Sequence, residues 1–225
     1  MTIGRLLCVA LVVLLLFGVI SVSNAGVLSY DIAYWCWSDS AHTNLTTIFN
    51  TKPDDLNSIV LIVHQVVYDA QSSRTKLLQN GENLDSFGAA PLYLYSYSVF
   101  NISWLEDTGS GLTQLITDWN APCALVTRVN SRMMQDWSAS KIGNSLRWTW
   151  NADNIGLRTG SGISGFWAVA TSCESMPTNA NVYSGDGVVI DEGISVMGPV
   201  PEPASLIALL VGIIGLSQRK LYRRR

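Results

Sequence analysis

The chain has 225 residues, 48% of them hydrophobic, with 14 Lys and Arg against 17 Asp and Glu. Residues 26–199 carry 8 of the basic and 16 of the acidic residues, a net charge of −8, and the positive excess lies in the last seven residues, which hold 5 of the basic ones. An interior this acidic speaks against nucleic acid or anionic lipid as its partner, and it is long enough for one domain with a real core.

The first 25 residues read as an export signal. Arg5 is the sole charge ahead of an uncharged, largely apolar block at 6–20, and Ser23 and Ala25 then place small residues at −3 and −1. The pattern predicts passage through an export translocase and cleavage between Ala25 and Gly26; an uncleaved signal anchor is the alternative. The interior that follows alternates as strands do. Leu28, Tyr30, Ile32, Tyr34 and Cys36 interleave with Ser29, Asp31, Ala33 and Trp35. Residues 38–52 read as a decoration. The β-branched run at 58–68 predicts a central strand buried on both faces. Asn80-Gly81 predicts a tight turn after 74–79. In 91–103, Tyr93, Tyr95, Tyr97 and Val99 fall on one face and Leu94, Ser96, Ser98 and Phe100 on the other. Further strands are expected at 124–129, 146–150, 163–170 and 187–196, while 111–119 and 132–139 suit either strand or short helix. Gly, Asn, Ser and Thr clusters separate these runs at intervals of about ten residues, and no helix of three turns is convincing. The predicted fold class is all-β: one antiparallel β-sandwich over 26–199, flanked by the signal helix and a single C-terminal membrane helix.

Three cysteines lie in the exported part, Cys36, Cys123 and Cys173, with no zinc-like spacing. Cys123 and Cys173 are the preferred disulfide pair, since both border expected strands of the C-terminal half; three buried thiols are the equal alternative. His64 sits in an apolar run and reads as a packed strand residue, and Asp39 with His42 reads as turn polarity. No nucleophile elbow, zinc-protease motif or nucleotide loop occurs in the sequence. The neighbours Asp54-Asp55, Glu106-Asp107 and Asp191-Glu192 would point to opposite faces of a strand, unlike the facing carboxylates of a glycosidase. No cofactor is expected beyond a candidate structural calcium at Asp186-Gly187 and Asp191-Glu192, where surface solubility is the plainer reading. Trp35 with Trp37 and Trp148 with Trp150 are i,i+2 pairs, each on one face of its strand. Exposed, such stripes would stack on the sugar rings of an extracellular polysaccharide; buried, they fill a sandwich core, which is the plainer reading.

The tail at 200–225 has three parts. Val200, Pro201, Glu202 and Pro203 form a stiff, acidic element, because proline lacks the N–H and locks φ. Ala204, Leu206, Leu209, Gly212, Gly215 and Leu216 belong to an uncharged run that predicts a membrane helix, and Arg219, Lys220, Arg223, Arg224 and Arg225 follow it. The basic end would hold the C-terminus on the cytoplasmic side. The charge-free stretch 203–218 would make a helix of about 24 Å, against a hydrocarbon core of about 30 Å. So short a span suits a temporary hold before cleavage better than an ordinary permanent anchor, which is the alternative.

In order and spacing, this tail resembles the PEP-CTERM sorting signal of bacterial exported proteins, which exosortases process. The resemblance implies an exosortase-like enzyme as partner, a transient stay in the inner membrane, and delivery to the cell envelope or extracellular matrix of a polysaccharide-producing cell. A second stretch runs from the tyrosine-alternating strand ending at Asn101, through Trp148 and Trp150 and Asn154-Ile155-Gly156, to Ser164-Gly165-Phe166-Trp167. It is similar to uncharacterised immunoglobulin-like sandwich modules ahead of such tails, and implies an immunoglobulin-like or jelly-roll sandwich with no catalytic residues to assign. The chain is therefore expected to be a non-catalytic surface or matrix protein. A carbohydrate-binding module or carbohydrate-active enzyme of the extracellular polysaccharide is the alternative.

Overall fold

The computed structural model describes residues 26–39, 44–103, 119–121, 123–130, 135–151, 156–183, 189–191 and 195–199. In chain order the first strands are β1 (Val27–Trp37), β2 (Leu45–Phe49), β3 (Ile59–Tyr68), β4 (Tyr93–Asn101), β5 (Trp119–Asn120) and β6 (Ala124–Val129). Then come β7 (Trp137–Ile142), β8 (Ser145–Trp150), β9 (Ser161–Ala170), β10 (Ser175–Asn179), β11 (Val182–Tyr183), β12 (Val189–Asp191) and β13 (Ser195–Pro199). With a single helix, α1 (Ala70–Gln79), these residues are all-β in class. Six strands form one antiparallel sheet in the order β2-β1-β3-β4-β9-β6, and β5-β8-β7, β10-β13 and β11-β12 pair separately.

The β-branched run of β3 does sit in the middle of the large sheet, and Val60, Leu61, Ile62 and Val63 are buried in succession. A strand buried on both faces needs no polar alternation, which is why it reads as a continuous apolar run. The sheet's inner face carries Ala33, Trp35, Leu61, Val63, Tyr95, Tyr97, Val99, Phe166 and Ala168. Trp119, Trp137, Leu146, Trp148 and Val196, from the smaller pairings, close over that face in a sandwich-like arrangement. Its centre is a chain of aromatic rings. Tyr97 meets Trp119 at 4.3 Å, Trp119 meets Trp148 at 4.6 Å, Trp148 meets Phe166 at 5.4 Å and Phe166 meets Trp137 at 5.0 Å. All four contacts are tilted or edge-on, the arrangement that ring quadrupoles favour.

A bulge sets up the far end of this core. Tyr97 pairs with Phe166, but Ser98 pairs with Ser164 and Val99 with Ile163. The extra residue in β9 changes its parity, so Ile163 joins Phe166 on the inner side instead of turning outward.

One helix, α1, lies between β3 and β4; its ten residues make just under three turns. Asp69 caps its start, accepting from the Ser72 amide at 2.7 Å. Its end is the Asn80-Gly81 pair, the expected tight turn, which here closes a helix. Gly81, at φ +82°, donates to the Leu78 carbonyl and Glu82 to the Leu77 carbonyl, the paired bonds of a Schellman cap that favours glycine at its left-handed position. The helix was obscured because it is mostly polar: only Ser73 and Leu77 are buried. Leu77 packs with Leu84, Leu92, Leu94, Trp167 and Val169 against the sheet's outer face. Ser73 rivets the helix down, donating to the Tyr68 carbonyl at 3.1 Å and accepting from the Leu94 amide at 2.8 Å.

The two ends of the sandwich meet on one side. Trp35 Nε1 donates to the Ser195 carbonyl at 3.0 Å, whereas Pro199 pairs with Ser175, whose hydroxyl reaches Asp31 at 3.4 Å. β13 therefore runs back along β1 and leaves towards the end where β1 begins. Among the described residues no helix is long and apolar enough to cross a membrane; the helices expected at 6–20 and 204–216 lie outside them.

Candidate functional site

A recess lies at the bulged end of the core. β7 and β8 make a hairpin around Gly143-Asn144, and Trp137 stands opposite Trp150 at its open end. There the Asn151 amide donates to the Asp136 carbonyl at 2.7 Å and closes the strands. The two indoles meet edge-to-face at 5.4 Å and 67°. Across from them, the fully buried Asn101 holds the next segment in place. Its Nδ2 donates to the Leu157 carbonyl at 2.9 Å, and its own carbonyl accepts from the Gly160 amide at 2.7 Å. Gly162 and Ile163 of β9 supply the remaining wall. A β-carbon at Gly162 would lie 2.3 Å from the Phe100 ring, so this wall has no room for a side chain on that side.

The result is a cavity of about 260 Å³ lined by Gln135, Asp136, Trp137, Trp150, Gly156, Leu157, Gly162 and Ile163. Leu157 and Trp137 are buried, Trp150 is half-buried, and the polar Gln135 and Asp136 are exposed at its edge. Trp137 Nε1 is enclosed and makes no hydrogen bond. Leaving such a donor unmet costs about 1–3 kcal/mol. An apolar floor, an indole wall and a few polar groups at the rim are the general make-up of a small-molecule pocket.

Of the two readings of the tryptophan pairs, the structure follows the plainer one, burial in the core, and not the exposed sugar-stacking stripe. Each pair does share a strand face, but that face points inward. Trp35 is 1% exposed and Trp148 is 0% exposed, and Trp37 and Trp150 pack against the same core. The indole N–H of Trp148 donates to the Arg128 carbonyl at 3.1 Å, which lets it be buried without an unmet donor. Only Trp150, at the rim, lines the cavity, and its partner there is Trp137, which the sequence placed in a segment ambiguous between strand and helix. The signal that marked it was the spacing Trp137, Ala139 opposite Trp148, Trp150, legible only with the hairpin register known.

Cys123 and Cys173, expected as a disulfide, are both free thiols, as is the buried Cys36. The register pairing Ala124 with Ala170 leads Cys123 towards Thr171 and away from a direct crossing with Cys173. Burial pushes the Cys36 and Cys123 thiols up in pKa. Other ionisable groups have structural partners. The Asp55 carboxylate caps a short 3₁₀ turn through the Asn57 amide, Asp39 accepts from Asn44, and Arg128 meets Glu82 at 2.9 Å. His64 lies between Tyr30 and Phe100 on the outer face, its Nδ1 sharing a 3.0 Å hydrogen bond with the Tyr30 hydroxyl. Burial lowers its pKa to about 4, which keeps the ring neutral near pH 7.

Among the described residues no cluster of His, Cys, Asp or Glu could hold a metal ion. The calcium candidates Asp186, Gly187 and Glu192 lie outside the described residues, as do His42, Glu106, Asp107, Ala25, the motif Val200, Pro201, Glu202 and Pro203, and the basic end. Compared with known families, the chain matches no family model, and no curated protein is significantly similar to it.

Proposed function

We propose that this chain is a non-catalytic exported protein, passed through an export translocase and sorted by its tail to the cell envelope or extracellular matrix. One observation carries the reading. A signal-type segment at 1–25 and the tripartite tail at 200–225 bracket a single β-rich interior. The fold suits such tethering, because β1 begins and β13 ends on the same side of the sandwich. That side would face the membrane while residues 204–216 are held in it, and the rest of the domain would project outward. The pairing of Glu82 with Arg128, and the capping by Asp55 and Asp69, support a structural use for these charges.

In this reading an exosortase-like enzyme recognises Pro201, Glu202 and Pro203, and Arg219, Lys220, Arg223, Arg224 and Arg225 fix orientation by the positive-inside bias. Glu202→Ala should then leave insertion intact and block processing, so that precursor accumulates in the inner membrane. Deletion of 219–225 should weaken orientation and retention instead. Immunoblots of membrane and secreted fractions read both. Wild-type processing of Glu202→Ala would show that the motif is not read and that the tail is a simple short anchor.

A further inference from the structure

We propose that the cavity between the β7–β8 hairpin and β9 binds one neutral hexose unit of a polysaccharide chain, stacked on the Trp150 indole. The inference rests on the exported reading only for the source of the ligand, since a matrix protein meets extracellular polysaccharide.

The geometry points to a sugar ring in two ways. Trp150 is half-buried at the rim while Trp137 and Leu157 behind it are buried, so an aromatic surface is presented at an opening and braced from below. A pyranose has C–H-rich faces that lie against an indole and hydroxyls around its edge that need polar partners. Gln135 and Asp136 stand exposed at the edge of the same cavity, an amide that donates and accepts beside a carboxylate that accepts.

Size and charge narrow the ligand. The cavity, about 260 Å³, falls below the ~300–1,000 Å³ range of drug-sized sites, so it takes one ring of a chain that runs on past the opening. Asp136 at the rim and the net −8 of residues 26–199 disfavour uronates and other anionic sugars. The cavity is held by the Asn101 bridge and the hairpin closure, so it is formed before a ligand arrives. A site of one ring is weak, and repetition along a polysaccharide and across many copies would supply avidity.

The test is affinity electrophoresis of the purified full-length chain in mild detergent, through gels containing dextran, mannan, galactan or a polyuronate. Tryptophan fluorescence titration accompanies it. The expected result is retardation by at least one neutral polysaccharide and none by the polyuronate alone. Trp150→Ala should weaken binding by about tenfold or more, and Asp136→Ala by about threefold, the worth of one hydrogen bond. If Trp150→Ala fails to give the wild-type circular dichroism, the exposed Asp136 decides alone. Retardation by no neutral polysaccharide would overturn the inference, as would retardation by the polyuronate alone, or binding that every folded variant keeps at wild-type strength. None of these outcomes bears on sorting, which Glu202→Ala reads separately.

Discussion

The two faces of the six-stranded sheet use the same strands and reach opposite ends. The inner face is sealed by aromatic rings, with Tyr95, Tyr97, Trp148 and Phe166 almost without exposure. The outer face is covered by α1 at one end, while Leu28 is 51% exposed and Tyr30 44% exposed. The difference teaches where the stability of this fold resides. Alternate residues of one strand are equally apolar in sequence, but on the outer face burial is confined to the patch under α1 and to the cluster of Cys36, Ile59 and Ile62, and burial stabilises in proportion to the area removed from water.

The largest break in that comparison is expected at Trp148, which touches Tyr97, Trp119 and Phe166. Trp148→Ala should cost about 3–5 kcal/mol and lower the denaturation midpoint strongly. A small effect would mean that the inner layer is loose and that the comparison fails.

Acid should loosen the outer face instead. His64 has a folded pKa of about 4 against an ordinary 6.5, so the unfolded chain takes up its proton first as the pH falls. Stability should be unaffected by His64 above pH 6.5 and should decline between pH 6.5 and pH 4, by at most about 3 kcal/mol. His64→Phe should flatten this dependence in urea titrations across that range. An unchanged slope would show that the ring is hydrated and not buried.

A smaller effect should follow Ser73→Ala, which removes the rivet between α1 and β4 and leaves the Leu94 amide unmet, at a cost of about 1–3 kcal/mol. Hydrogen exchange should show the Leu94 amide and the helix opening before the inner strands do. Simultaneous opening would merge the two faces into one cooperative unit.

Much of the strand pattern was legible in the sequence. The alternations at 28–36 and 91–103 and the β-branched run at 58–68 became β1, β4 and β3, because a period of two is a local property of extended backbone. Within the expected strand at 187–196, the described residues belong to β12 and to the start of β13, which pair with different strands. β2 was hidden in what looked like decoration, since a short edge strand needs only one neighbour, and Tyr34 pairs with Ile48 there. Helix α1 escaped because its polar composition carries no apolar stripe; of its ends only the turn at Asn80-Gly81 was read in advance. The cavity was less legible still. Trp150 was named as a sugar-stacking candidate, but Trp137, Leu157 and Ile163 were not.

By itself, then, the sequence determined the acidic interior, the strand-forming runs with their alternating faces, and the uncharged, largely apolar runs near the two ends with their flanking basic residues. These rest on composition, on periodicity and on short linear motifs, which need no distant partner. Tertiary structure decided which face of each strand is dry, and so placed Trp35 and Trp148 in the core and left Trp150 at a rim. It also decided, through one bulge in β9, that Ile163 turns inward to wall the cavity. The physical reason is that a period of two states that two faces exist, while burial is set by whatever packs across them, and those residues lie far away along the chain.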